Sequence, residues 1–215
     1  MRRAFDALYA KAVERHGPEV IEERLPSVKS AAELAAVGDD RYLSCMAQTV
    51  FSAGFVWRVI QAKWPGFEEA FKGFDPLQVA ALDPEVLVAD ARIVRNGQKI
   101  AATQENARWM LEVAEEHGGF SDFIAAWPED DVVGLWQTLA KQGSRLGGAT
   151  GPRFLRHMGK DTFILTGDVT RSLTDQGILT GKPTSKKQQL LAQEAFLEWR
   201  QESGRSFGEI SMIVA

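Results

Sequence analysis

The chain has 215 residues, with 25 Lys+Arg against 29 Asp+Glu and a formal net charge of −4. Its 45% hydrophobic and 25% charged residues are the balance of a folded protein rather than a disordered one, and the length closes a substantial core. Lone Cys45 excludes an internal disulfide, three histidines are too few for a dense Cys/His metal site, and no apolar run reaches the ~18 residues of a bilayer span. A secreted disulfide scaffold, a zinc finger and a membrane protein are thereby set aside, and a cytoplasmic protein without metal or cofactor is expected.

Helical spacing runs through nearly the whole sequence. Phe5, Leu8, Tyr9 and Ala12 share one face of a helix over 5–15, stopped by Gly17-Pro18. Ser30 and Glu33 have the capping-box spacing and open a short helix that Gly38 ends. Asp39 or Asp40 is placed to cap a run over 42–51. The small residues Ser52-Ala53-Gly54 then lead into FVWRVIQAKW, which Pro65-Gly66 is expected to stop, with one or two further turns beyond. Asp75-Pro76 and Asp83-Pro84 each combine an N-cap with proline at the first helical position.

Asn96-Gly97 marks a turn before a long helix over 99–116, which Gly118-Gly119 ends. Shorter pieces near 121–127 and 131–141 flank Pro128, and more helices are expected near 152–158, 168–176, 184–203 and from Phe207. The predicted class is all-α, one domain over 1–215 made of two closely packed helical subdomains.

Charge is distributed unevenly. Residues 1–140 carry a net of −8 and residues 141–215 a net of +4. Lys141, Arg145, Arg153, Arg156, Lys160 and Arg171 face only Asp161 and Asp168 within 141–171. A locally positive face can meet an anionic partner even on an acidic protein, although solvated helix faces account for the same residues.

Residues 139–158 read LAKQGSRLGGATGPRFLRHM, the most unusual local composition in the chain. Gly143, Gly147 and Gly148 let the backbone turn tightly and approach another molecule. A helix beginning near Ala149 aims its free N–H groups back at that turn, the arrangement that holds a phosphate oxygen. Arg145, Arg153 and Arg156 would add attraction. A tight turn between helices that needs glycine only for geometry fits the same residues.

Leu146-Gly147-Gly148-Ala149-Thr150 resembles the hydrophobic-Gly-x-x-Thr part of the helix–hairpin–helix element of DNA repair proteins. From Ser52 to Val113 the chain carries an AGxxW step, an FxxFDPxxVAA turn and an IxRNxxKIxAxxxNAR helix. This stretch is similar to the 3-methyladenine DNA glycosylase I family of the helix–hairpin–helix DNA glycosylase superfamily. The resemblance implies an all-α fold and hydrolysis of the N-glycosidic bond of an alkylated purine such as 3-methyladenine. The implied partner is damaged double-stranded DNA; a monomer without a cofactor is expected. Such a base must be flipped from the duplex and held by stacking and hydrogen bonds.

Carried onto this chain, Trp57 falls where the family has an aromatic wall of the base pocket, with Tyr42, Phe51 and Phe55 on neighbouring turns. Core packing is the ordinary fate of Phe51 and Phe55. Gly143, Arg145, Gly147, Gly148, Thr150 and Arg153 become the DNA-contacting set.

The chain departs from the family pattern in three places. The family's Cys/His zinc site has no counterpart. Thr49 stands where the family pocket has a glutamate, with Gln48 beside it as a neutral hydrogen-bonding residue. The superfamily's essential aspartate, registered on Arg171, falls at Thr166, and the carboxylate nearby is Asp168, two residues on. A carboxylate there would stabilise the cationic sugar left by the departing base or orient a water; an N-cap role is the structural alternative. No lysine sits at the Schiff-base position of bifunctional relatives, which falls in or near Lys141–Gly143; a single hydrolytic activity is the expectation, with a lyase activity left as an alternative. A DNA-binding module that no longer cleaves, and a glycosylase for another damaged base, are the alternatives.

Overall fold

The computed structural model describes residues 3–215. The described residues form α-helices joined by short connections, with one 3₁₀ turn and no strand. The first nine helices are α1 (Phe5–His16), α2 (Pro18–Arg24), α3 (Ala31–Ala35), α4 (Asp39–Ser52), α5 (Trp57–Ala70), α6 (Pro76–Ala81), α7 (Pro84–Ala89), α8 (Gly97–His117) and α9 (Phe120–Ala126). They are followed by α10 (Val132–Gln142), α11 (Thr150–Met158), α12 (Gly167–Asp175), α13 (Lys186–Ser203) and α14 (Phe207–Ile213). The all-α expectation holds.

The caps explain most boundaries. Ser30 and Glu33 form the expected capping box at α3, and Asp75, Asp83, Asn96 and Asp131 each accept a backbone N–H at the start of their helices. Gly118 ends α8 in the left-handed conformation at φ 89°. Two expectations need correction. Gly17 does stop α1, but Pro18 opens a further helix, α2, whose buried residue is Ile21. Pro65 does not end α5, which runs on to Ala70. There Trp64 stacks on Phe67 at 4.8 Å and on Phe74 at 5.4 Å, and the buried aromatic surface outweighs the backbone bond that proline removes.

Asp39 also acts differently from its sequence reading. The N-cap of α4 is Gly38, and Asp39 instead accepts the Phe120 and Ser121 N–H groups at 2.9 and 2.8 Å. Its carboxylate thus caps α9, a helix eighty residues away in sequence, and joins α4 to α9.

The long helix α8 packs on α4, α6, α7 and α9, while α4 crosses α11. Beyond the hairpin, α13 packs on α10, α14 and α1 and so brings the two ends of the chain together. Trp199 Nε1 donates to the Arg3 carbonyl at 3.0 Å, and the Phe5 N–H donates to Glu202 at 2.7 Å. One continuous core extends from Phe5 to Val214.

Candidate nucleic-acid interface and base pocket

The hairpin is the turn between α10 and α11. Val132, Val133, Leu135, Trp136 and Leu139 bury the inner face of α10, and Leu146 inserts from the turn into the same core, 1% exposed. The turn closes through the Thr150 N–H to Gly147 O (3.3 Å) and the Gly151 N–H to Leu146 O (3.0 Å). A Cβ at Gly143 would lie 2.6 Å from a Leu146 methyl and 2.8 Å from Leu139 O, so no side chain fits. Gly148 has φ 61° and Arg145 φ 60°, both in the left-handed region.

The N–H groups of Gly147, Gly148 and Ala149 have no partner among the described residues, and no side chain caps the start of α11. These three residues are exposed, and free N–H groups before a helix start are the kind that hold a phosphate oxygen. Thr150 is half-buried at its edge, Arg145 and Arg153 are exposed, and Arg145 reaches Gln98 at 2.5 Å. Arg156 does not join them. Its guanidinium turns inward to the Thr162 carbonyl at 2.5 Å, and burial lowers its pKa.

The aromatic set divides into buried and exposed members. Tyr42 is fully buried; its hydroxyl donates to Leu34 O at 3.0 Å, and its ring meets Phe120 and Phe154 edge-on. Phe51 is equally buried, edge-on to Phe67 at 4.7 Å. Thr49 is buried, and its hydroxyl donates to the Cys45 carbonyl. Trp57, by contrast, stands 40% exposed at the first position of α5. Its ring lies 5.8 Å from that of His157, whose pKa is lowered by burial and by Arg153 and Arg156. Gln48 is half-buried, and its amide has no partner among the described residues.

Phe55 is not a core residue. It is 45% exposed and stands with Val56, Trp57 and Val59 in a run of uncovered apolar side chains. Beneath it lies Lys99, to which sequence reasoning assigned no site role. Its ammonium is buried, donates to Phe51 O at 3.0 Å and Ala53 O at 2.6 Å, and sits 4.7 Å from the Phe55 ring centre. Burial, then Arg145, lowers its pKa. Lys99 satisfies carbonyls at the C-terminal end of α4 and holds the chain that leads to Trp57. The signal available beforehand was its place in the RNxxKI string.

Asp168 lies in the first turn of α12. The N-cap is Thr166, whose hydroxyl accepts the Val169 N–H at 3.2 Å, so Asp168 is free of a capping role. It pairs with Arg171 at 3.3 Å and lines a cavity of about 280 Å³ between α1, α2, α12 and the end of α14. None of Tyr42, Gln48, Thr49, Phe51 or Trp57 lines that cavity. The structure therefore brings the hairpin residues together, and separately Trp57 with its apolar run, while Asp168 has a cavity of its own. Among the described residues no cluster of three His, Cys, Asp or Glu side chains is placed to hold a metal ion, and no helix is long and apolar enough to cross a membrane.

The described residues thus form an all-α fold in which a glycine-rich hairpin joins two helices, α10 and α11. A protein-family model described as methyladenine glycosylase matches residues 34–170, well over half of the chain, and the chain belongs to that family. DNA-3-methyladenine glycosylase 1 of Escherichia coli (strain K12) is 39% identical over 75 residues, 34% of this chain and 40% of that protein. The Haemophilus influenzae DNA-3-methyladenine glycosylase is 33% identical over the same length. The chain thus spans less than half the length of these curated relatives.

Among solved structures, 3-methyladenine DNA glycosylase I from Staphylococcus aureus shares the fold with a TM-score of 0.51 at 23% identity, covering 57% of this chain and 77% of that one. The Methanocaldococcus jannaschii 8-oxoguanine glycosylase/lyase, solved with a 15mer DNA containing 8-oxoguanine, aligns with a TM-score of 0.53 at 12% identity. It covers 97% of this chain and 93% of that one, so the likeness reaches the helices on either side of the family stretch.

Proposed function

We propose that this protein is a monofunctional DNA N-glycosylase that hydrolyses the N-glycosidic bond of an alkylated purine, 3-methyladenine being the type, in damaged double-stranded DNA. The observation that carries the reading is the hairpin, with three unpartnered amides in a chain of the methyladenine glycosylase family. Gly143, Gly147, Gly148 and Thr150 shape the turn that takes a backbone phosphate, and Arg145 and Arg153 add charge beside it. The exposed run from Phe55 to Trp57 supplies the apolar surface that fills or stacks against an opened base step. Trp57 stacks on the base and Gln48 reads its edge, with Tyr42, Thr49 and Phe51 supporting them from the core.

Bond cleavage leaves the electron pair on the purine nitrogen, so an N3-alkylated base that binds as a cation departs neutral. The sugar is left cationic at C1′. A carboxylate stabilises that charge and accepts a proton from the water whose oxygen bonds to C1′. Asp168, uncapped and open to a cavity that neither Trp57 nor Gln48 lines, is the group proposed for this work, reached by the sugar and not by the base.

The test is release of free base from dimethylsulfate-treated duplex by the wild type and by Asp168→Asn. Release of 3-methyladenine by the wild type alone supports the reading and the carboxylate. Equal release keeps the glycosylase and removes Asp168 from it. One observation favours a second reading: neutral Thr49 and Gln48 leave a cationic base without an anionic partner. Binding of damaged duplex with no base released, at enzyme excess, would favour a protein that recognises lesions without cleaving them, or one that cleaves a different base.

A further inference from the structure

We propose that the groove between the α1–α2 pair and α12 is a second track for the DNA backbone, gripping phosphates of the damaged strand beside the lesion and separate from the hairpin. The proposal rests on the placement of Asp168 at the reacting sugar, because Asp168 lies in this groove. A sugar held at Asp168 carries its own flanking phosphates, and these would fall against the groove's cationic rim.

Lys11, Arg15, Arg24 and Arg171 line that rim, opposed there by Asp168 and Asp175. The local balance is positive on a chain whose net charge is −4. Lys11, Arg15 and Arg24 are exposed, and none makes an ion pair or side-chain hydrogen bond among the described residues, although Glu14, Glu19 and Glu23 share their helices. Cations left unpaired in reach of carboxylates are available to an anion. Lys11 and Arg15 stand one helical turn apart, about 6 Å along the axis, and so can meet successive phosphates of one strand.

The walls are fixed in place. The Arg3 N–H donates to Gln176 at 3.1 Å, which ties the start of α1 to the end of α12. Arg205 pairs with Glu22 at 2.6 Å and ties α2 to the segment before α14. The floor is aliphatic, with Leu8, Ile21 and Val214, and His16 is the one ring among the residues that line the groove. Such a floor suits the apolar face of a deoxyribose better than a stacked base. Both α1 and α2 precede residues 34–170, so this track would be an addition of this chain to the stretch the family model describes.

The test is binding of a fluorescent duplex containing a tetrahydrofuran abasic analogue, measured over a salt series. The wild type is compared with the Lys11→Gln/Arg15→Gln/Arg24→Gln triple variant, with each single variant, and with Arg153→Gln at the hairpin. The triple variant is expected to bind roughly tenfold more weakly near 0.1 M salt, with a log K against log[salt] slope shallower by about 2 to 3. Each single variant should reduce the slope by about 0.9, which keeps the test readable if the triple variant folds poorly. Wild-type affinity and slope in the groove variants, with weakened binding in Arg153→Gln, would overturn the track and leave the DNA reading standing. No duplex binding by the wild type would overturn both.

Discussion

Asn106 and Ser144 hold each other through two hydrogen bonds. The Asn106 amide donates to Ser144 O at 3.1 Å, and the Ser144 N–H donates to Asn106 Oδ1 at 2.7 Å. A side-chain amide thus serves as a strand partner for one residue of the hairpin, and it projects from the middle of α8, a rigid helix of 21 residues. At the start of the same helix, Lys99 holds the chain before Trp57 and Gln98 holds Arg145. The hairpin and the apolar run are therefore set relative to one another by a single element. Asn106→Ala removes both bonds and leaves a backbone N–H and C=O to find water. Urea denaturation should show a loss of about 1 to 3 kcal/mol, and duplex affinity should fall further than this stability loss explains. Unchanged affinity in the folded variant would separate the hairpin's geometry from DNA binding.

Two hairpin glycines are needed for different reasons, and alanine separates them. A Cβ at Gly151 would stand 2.6 Å from Leu146 O and 3.3 Å from a Leu139 methyl, so Gly151→Ala must push α11 off the turn. Overpacking of this kind costs about 1 to 3 kcal/mol. At Gly148 a Cβ meets nothing within 4 Å, and the cost comes only from φ 61°, about 1 to 2 kcal/mol for an L-residue held there. Thermal melts should therefore rank Gly151→Ala below Gly148→Ala. The reverse order would mean that the turn relaxes around residue 151 more easily than its contacts imply.

Much of this fold was legible because caps and stop signals are local. Ser30 with Glu33 and Asp75 with Pro76 act on backbone within a few residues, and each starts its helix as expected, whereas Asn96, expected in a turn, caps α8 itself two residues earlier. What failed was non-local. Pro65 lies inside α5 because Trp64, Phe67 and Phe74 stack, and a window of sequence does not show which rings meet. Asp39 caps α9 rather than its own helix. At the site, the hairpin could be read from its glycines alone. The exposure of Phe55 and the burial of Lys99 could not, since both depend on how α4, α5 and α8 meet. Asp168 was singled out by its chemistry, two residues off the register that falls on Thr166, and only the cap at Thr166 showed that Asp168 has no duty to the helix.

Glu68 gives the structure a predictable acid limit. Burial alone would raise its pKa, but the Arg41 guanidinium, the Ser44 hydroxyl and the Trp64 indole all donate to it and hold it below the ordinary carboxylate range. A carboxyl held lower in the folded chain than in the unfolded one adds stability that is complete above the unfolded value, here 4.5, and lost as pH falls through the folded value. Glu68→Gln should thus cost on the order of 1 kcal/mol at pH 7, and the difference between wild type and variant should shrink steadily below pH 4.5. Denaturant midpoints measured from pH 7 down to pH 3 check this. A gap that stays constant with pH would show that packing, rather than the charge of Glu68, is what the substitution removes.

Two ways of restoring a carboxylate beside the base pocket should give opposite results. Thr49, which the resemblance would put at the family's glutamate position, is buried at 5% exposure and faces the Cys45 carbonyl. Burial one helical turn away pushes the Cys45 thiol up to about 12, and a buried site of this kind disfavours negative charge. Thr49→Glu would place an anion there without a partner, so the side chain should take up a proton or the helix should distort. A lower Tm and no gain in release of a cationic base are expected. Gln48 is half-buried with a free amide, and Gln48→Glu can present its charge without leaving water altogether. An anion near a bound cationic base gains several kcal/mol of Coulomb energy at short range, partly offset by desolvation. Release of 3-methyladenine relative to a neutral base such as hypoxanthine should therefore rise roughly tenfold, a net gain of about 1.4 kcal/mol. Paired single-turnover assays on the two substrates check it. If Thr49→Glu gains that preference and Gln48→Glu does not, the base is read from the Thr49 side and α4 must open to receive it.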